Sequence, residues 1–67
     1  MERINRIKEI LVIQNKTQVW LAEQMDRNVH SVSAYCSNRR QPTLVDLKRI
    51  AEILDVDITE LLVRTKV

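Results

Sequence analysis

The chain has 67 residues, 45% of them hydrophobic and 30% charged, with a formal net charge of +2 and one cysteine. That length holds one small domain around one core, expected over residues 1–67, and a lone cysteine excludes an internal disulfide and suits a reducing cytoplasm. No run approaches the ~20 apolar residues that cross a bilayer, and no signal-peptide pattern opens the chain.

Glycine is absent and proline occurs once, so helix ends are read from caps. Glu2 to Ile13 is expected to form a first helix, with Ile4, Ile7, Ile10 and Leu11 on its buried side. Asn15 can end it in the left-handed conformation, which Asn tolerates better than most residues. Thr17 caps a second helix, Gln18 to Met25, where Leu21, Ala22 and Met25 share one face. Asp26-Arg27-Asn28 interrupts, and Asn28 caps a third helix, Val29 to Ser37, with Val32, Tyr35 and Cys36 inward. Pro42 stops that helix from continuing through the loop. Thr43-Leu44-Val45-Asp46 opens a fourth helix with a cap and an acid at its positive end. It runs to about Leu54, with Leu44, Leu47, Ile50, Ala51 and Leu54 inward. Asp57-Ile58-Thr59-Glu60 repeats the capping pattern and starts a short fifth helix carrying Ile58, Leu61 and Leu62. The expected fold is a compact all-α domain of five helices.

Two short helices joined by about three or four residues form a helix-turn-helix, whose second helix can enter a DNA major groove. At roughly 100° per residue, His30, Ser33, Ala34 and Ser37 lie opposite the inward face of the third helix. These side chains are small or polar, as entry into a groove about 12 Å wide requires. Arg39, Arg40, Lys48 and Arg49 face only Asp46 in the same stretch, whereas Glu52, Asp55, Asp57 and Glu60 follow with no positive charge among them. Such polarity suits an oriented protein on a polyanion, although ordinary solvated charge explains it equally well on this observation alone.

Taken together, these residues resemble the lambda-repressor-like (Xre/Cro-type) helix-turn-helix domains. Thr17-Gln18-Val19-Trp20-Leu21-Ala22 matches the family's second-helix element, and Asn38-Arg39-Arg40-Gln41-Pro42 matches its basic loop. Leu47 to Val56 matches the fourth-helix element, and Asp57-Ile58-Thr59-Glu60-Leu61-Leu62 the last. The resemblance covers about residues 3 to 63. Two departures stand out. Family members usually carry Gly where Asn15 and Asp26 stand, and both substitutes tolerate positive φ at modest cost. Several phage repressors pair an Arg with an acid where Leu11 and Cys36 stand, so an apolar pair replaces a polar one.

The resemblance implies that Val29, His30, Ser33 and Ala34 face the bases, with His30 the best-equipped hydrogen-bonding group among them. A solvated surface histidine is the plainer alternative. It also makes Gln18 a backbone anchor at the first turn of the second helix, where unsatisfied amides attract a phosphate. Ser37 at the end of the recognition helix, with Arg39, Arg40 and Thr43 after it, completes the phosphate-facing set. Lys16 and Arg27 add diffuse attraction. Trp20 either covers the first helix or brings its indole N–H to the DNA backbone, and packing is the preferred role.

The leading functional reading is a transcriptional regulator, a repressor or autoregulator, that binds double-stranded DNA as a homodimer on a palindromic operator. One helix-turn-helix unit buries too little surface for tight specific binding, so two-fold pairing is expected. Ile58, Leu62 and Val63 are its expected surface, unless they simply close the core. The alternative is an antitoxin-like protein or restriction–modification controller whose main partner is another protein. An enzyme is poorly supported: no nucleophile–base pair, metal-ligand spacing or phosphate loop is visible. No cofactor, metal or membrane partner is expected.

Overall fold

A computed structural model describes residues 2–66, so the two outermost positions of the expected 1–67 span lie outside it. The element order is α1 (Ile7–Ile13), α2 (Gln18–Met25), α3 (Val29–Cys36), α4 (Leu44–Leu54) and a 3-10 turn, Ile58–Leu61. Side-chain caps open α2, α3 and α4 at the expected residues. Thr17 accepts from the Trp20 amide, Asn28 from His30 and Thr43 from Asp46.

The four α-helices close with one repeated device. The residues at positive φ are Asn15, Asp26, Asn38 and Asp55, one after each α-helix. In each case the following amide reaches back five residues: Lys16 to the Leu11 carbonyl, Arg27 to Ala22, Arg39 to Ala34 and Val56 to Ala51, over 2.8–3.0 Å. The positive-φ residue itself donates to the carbonyl three residues back. This is the Schellman arrangement that Gly ordinarily serves, carried here by Asn and Asp because their short polar side chains tolerate the left-handed region. Asn15 and Asp26 adopt the conformation expected of them; Asn38 and Asp55 extend the rule.

The core gathers Ile7, Ile10 and Leu11 of α1, Leu21, Ala22 and Met25 of α2, Val32, Tyr35 and Cys36 of α3, and Leu47, Ile50, Ala51 and Leu54 of α4, with Leu61 beneath them. Leu11 and Cys36 are both buried in this cluster, as an apolar replacement for a polar pair requires. Every buried side-chain nitrogen and oxygen among the described residues has a hydrogen-bond partner.

Three expectations are corrected. The first helix begins at Ile7 rather than Glu2, because the preceding backbone pairs with the C-terminal segment. The Arg6 amide donates to the Leu61 carbonyl at 2.7 Å, the Val63 amide donates to the Ile4 carbonyl at 2.8 Å, and Asn5 bridges Leu62 in an antiparallel sense. Ile4 is accordingly exposed. The expected fifth helix is only a 3-10 turn, since the same pairing draws the chain into an extended path at Leu62. Leu44 shares the angular face of Ala51 but is 80% exposed, because as the first residue of α4 it stands one turn before Leu47, where that face enters the cluster.

Candidate nucleic-acid interface

The turn between α2 and α3 is braced from both sides. Asp26 turns the chain at φ 53°, and Asn28 caps the next helix two residues later. Between them Arg27 reaches the carboxylate of Asp46 at 3.0 Å, and Asp46 is itself buried. The pair ties the helix-turn-helix to the start of α4. A buried carboxylate needs such a partner to offset its desolvation. Arg27, expected to add only diffuse attraction, has this structural use as well.

Along α3, His30 is exposed, and Ser33 is half-buried on the same side. Val29 is half-buried and packs against the core. Ala34 departs from the expectation of a base-facing residue: only 8% of it is exposed. Its carbonyl accepts the Arg39 and Arg40 amides at 3.0 and 3.3 Å and the Ser37 hydroxyl at 3.2 Å. The loop after α3 therefore folds back onto the last turns of the helix and covers Ala34. The open part of the recognition helix is its N-terminal half, centred on His30.

The expected phosphate-facing residues form the flanks. Gln18 is the first residue of α2 and is half-buried; Thr17 takes up the Trp20 amide, leaving other first-turn amides free for an anion. Ser37, Arg39, Arg40 and Thr43 are all exposed. Two contacts restrain the arginines. The Arg39 Nε donates to the Ser37 Oγ at 2.9 Å, and the Arg40 guanidinium lies 5.9 Å from the centre of the Tyr35 ring. Thr43 Oγ1 accepts from the Asp46 amide at 3.1 Å, which leaves its hydroxyl proton free to donate outward. Trp20 is partly buried against the core with the Lys16 ammonium 4.8 Å over its ring, the packing role preferred from sequence.

Sequence reasoning missed the amides beneath this loop. Asn5, 1% exposed, and Asn38, 8% exposed, interlock. The Asn38 Oδ1 accepts the Ile4 and Asn5 amides at 2.8 and 2.9 Å, and its Nδ2 donates to the Asn5 carbonyl. The Asn5 Nδ2 donates to the Tyr35 carbonyl and to the Gln41 Oε1, at 2.9 and 2.8 Å. No periodicity marks such residues. The only available signal was an Asn directly before two arginines in a loop that needs a left-handed residue.

Cys36 is buried, and that burial pushes its thiol up to about 11, partly offset by Lys8. Among the described residues no group of His, Cys, Asp and Glu could hold a metal ion, and no helix is long and apolar enough to cross a membrane.

Two short helices held at a fixed turn, an open N-terminal half on the second, and a basic loop behind it define a helix-turn-helix protein. A family model described as Helix-turn-helix matches residues 7–61, and the chain belongs to this lambda-repressor-like, Xre-type family. Membership places it among non-enzymatic regulators. Among solved structures, a Bacteroides fragilis protein to which DNA binding is ascribed is 43% identical, with a TM-score of 0.88 over 90% of this chain and 97% of that one. No curated protein matches the chain.

Proposed function

We propose that the chain binds double-stranded DNA sequence-specifically and regulates transcription, as a homodimer on a palindromic operator that it represses. The single observation that carries this reading is the exposed His30 in the N-terminal half of α3, flanked by the α2 terminus at Gln18 and by Arg39 and Arg40. The ascription of DNA binding to the Bacteroides fragilis relative supports it.

Val29, His30 and Ser33 face the bases in this reading, and Ala34 is dropped from that set because the loop covers it. His30 hydrogen-bonds a purine edge, while Val29 offers apolar contact to a thymine methyl. Gln18, Ser37, Arg39, Arg40 and Thr43 grip phosphates and set the register without reading sequence. So few hydrogen-bonding groups on the reading face leave DNA shape a share of the specificity. Ile58 and Leu62 already pack partly against the core, so the pairing surface is their exposed parts together with half-buried Val63.

Binding-site selection from random duplexes, followed by titration against salt, tests the reading. The selected site should be palindromic, with half-sites about one helical turn, roughly 34 Å, apart. If a dimer neutralises roughly 6–10 phosphates, affinity should fall by about 10³–10⁵ between 50 and 200 mM salt. No enrichment, or salt-independent binding, would refute it.

A further inference from the structure

The basic loop begins one residue after Asn38, so whatever fixes Asn38 fixes the direction in which Arg39 and Arg40 leave the recognition helix. Asn38 stands at φ 62°, in the left-handed region that Asn tolerates better than most residues. Its support comes from the other end of the chain. Asn5 and Asn38 exchange bonds in both directions: the Asn38 Oδ1 accepts the Asn5 amide at 2.9 Å, and the Asn38 Nδ2 donates to the Asn5 carbonyl at 3.2 Å. The Asn5 side chain then spans the loop, holding the Tyr35 carbonyl on one side and the Gln41 Oε1 on the other. Gln41 closes the circuit by donating to the Asn38 Oδ1 at 3.2 Å. Both ends of the loop are therefore clamped to one side chain. Tyr35 also lies under the Arg40 guanidinium, so the residue whose carbonyl Asn5 holds is the one on which Arg40 rests.

We propose that Asn5 is a positioning residue for DNA-backbone recognition: its buried amide locks the Asn38–Gln41 loop so that Arg39 and Arg40 are presented to phosphates in a fixed geometry. This rests on the DNA-binding reading given above. The Asn5 Oδ1 accepts the Ile7 amide at 3.1 Å at the start of α1, while Ile7, Ile10 and Leu11 supply that helix's share of the core. What an amide adds is two N–H donors aimed at two acceptors of the loop, along a direction an apolar side chain cannot specify. Preorganised arginines bind phosphate at lower entropic cost than free ones, which is how a residue that touches no DNA raises affinity for it.

The test compares Asn5→Ala and Gln41→Ala with Ile50→Val, a core truncation in α4 with no bond to the loop. Each is measured well below its unfolding midpoint. The loop's order is read without DNA from amide hydrogen exchange at Arg39 and Arg40, whose N–H groups are held by the Ala34 carbonyl. Both loop variants should raise that exchange about tenfold or more relative to Ile50→Val. On duplex DNA they should weaken binding about tenfold and make the slope of log K against log salt shallower by about one to two phosphates' worth. Ile50→Val should alter neither. Gln41→Ala changes an exposed side chain, so it keeps the test decisive should Asn5→Ala fail to fold. If both folded loop variants exchange and bind as Ile50→Val does, the proposal is overturned. If the unmodified chain binds no duplex at all, the DNA-binding reading fails instead. Unchanged exchange at Arg39 and Arg40 would then independently overturn the loop lock.

Discussion

Four residues of one conformation serve two different purposes, and glycine substitution separates them. At Asp26 and Asp55 the side chains are exposed, and neither carboxylate accepts a hydrogen bond among the described residues. Each also places a negative charge at the negative end of a helix. Replacing either by Gly relieves the left-handed strain and removes that charge, worth together about 1 kcal/mol. The charge alone contributes about 0.3–1 kcal/mol, and the greater freedom of Gly in the unfolded chain offsets part of the gain. For a domain of this size, about 1 kcal/mol raises the melting temperature by roughly 4–8 °C. Asp55→Asn should recover the charge part only. Asn15→Gly, with no charge to remove, should be close to neutral.

Asn38→Gly should behave oppositely, although it relieves the same strain. Its side chain accepts from the amides of Ile4 and Asn5 and donates to the Asn5 carbonyl, with both Asn residues buried. Leaving a buried amide unpartnered costs about 1–3 kcal/mol, more than the strain returned. Thermal unfolding by circular dichroism, checked by urea midpoints, ranks the series. A lower melting temperature for Asp26→Gly or Asp55→Gly, or a higher one for Asn38→Gly, would refute the division into free and bonded positions.

Further outcomes are expected. In the titration and selection assays, Arg39→Ala and Arg40→Ala should weaken specific and non-specific DNA alike and flatten the salt slope. His30→Ala should instead change the preferred base at one position per half-site, costing about 1–3 kcal/mol, and equal scaling of all sequences would remove His30 as a reader. Hydrogen bonds from the Thr59 hydroxyl and amide hold the Asp57 carboxyl below its ordinary value. Its contribution to stability is therefore present above the unfolded-state value and lost as pH falls through the folded one; Asp57→Asn should flatten the acid limb of a stability–pH curve. Cys36, raised to about 11 by burial, stays protonated at neutral pH, so alkylation should be slow and accelerate only with denaturant. Fast labelling of the native protein would contradict its place in the core. Its raised value also means that stability is lost as pH climbs from the unfolded thiol value toward about 11.

Helical periodicity carried most of the fold. Leu21, Ala22, Met25, Val32, Tyr35 and Cys36 are all in the cluster where their spacing placed them, and Thr17, Asn28 and Thr43 cap the helices they were expected to start. Periodicity failed where a backbone partner came from far along the chain. Nothing within residues 2–6 disfavours a helix; the Arg6 amide is instead taken by the carbonyl of Leu61, near the other end of the chain. A local reading has no access to that competitor.

The site shows the same division at finer scale. A helical wheel assigns a side chain an angle, and by that angle Ala34 faces out as His30 does. What separates them is the loop, which donates three hydrogen bonds to the Ala34 carbonyl and so covers one residue while leaving the other open. The bend that brings the loop back needs a left-handed residue at position 38, and the chain has no glycine to supply it. Asn meets the conformational need, but its amide must then be satisfied once buried, and Asn5, on the extended segment before α1, satisfies it. The left-handed Asn38, its buried pairing with Asn5 and the bend of the loop over Ala34 are thus linked, and the reading face narrows to the His30 end.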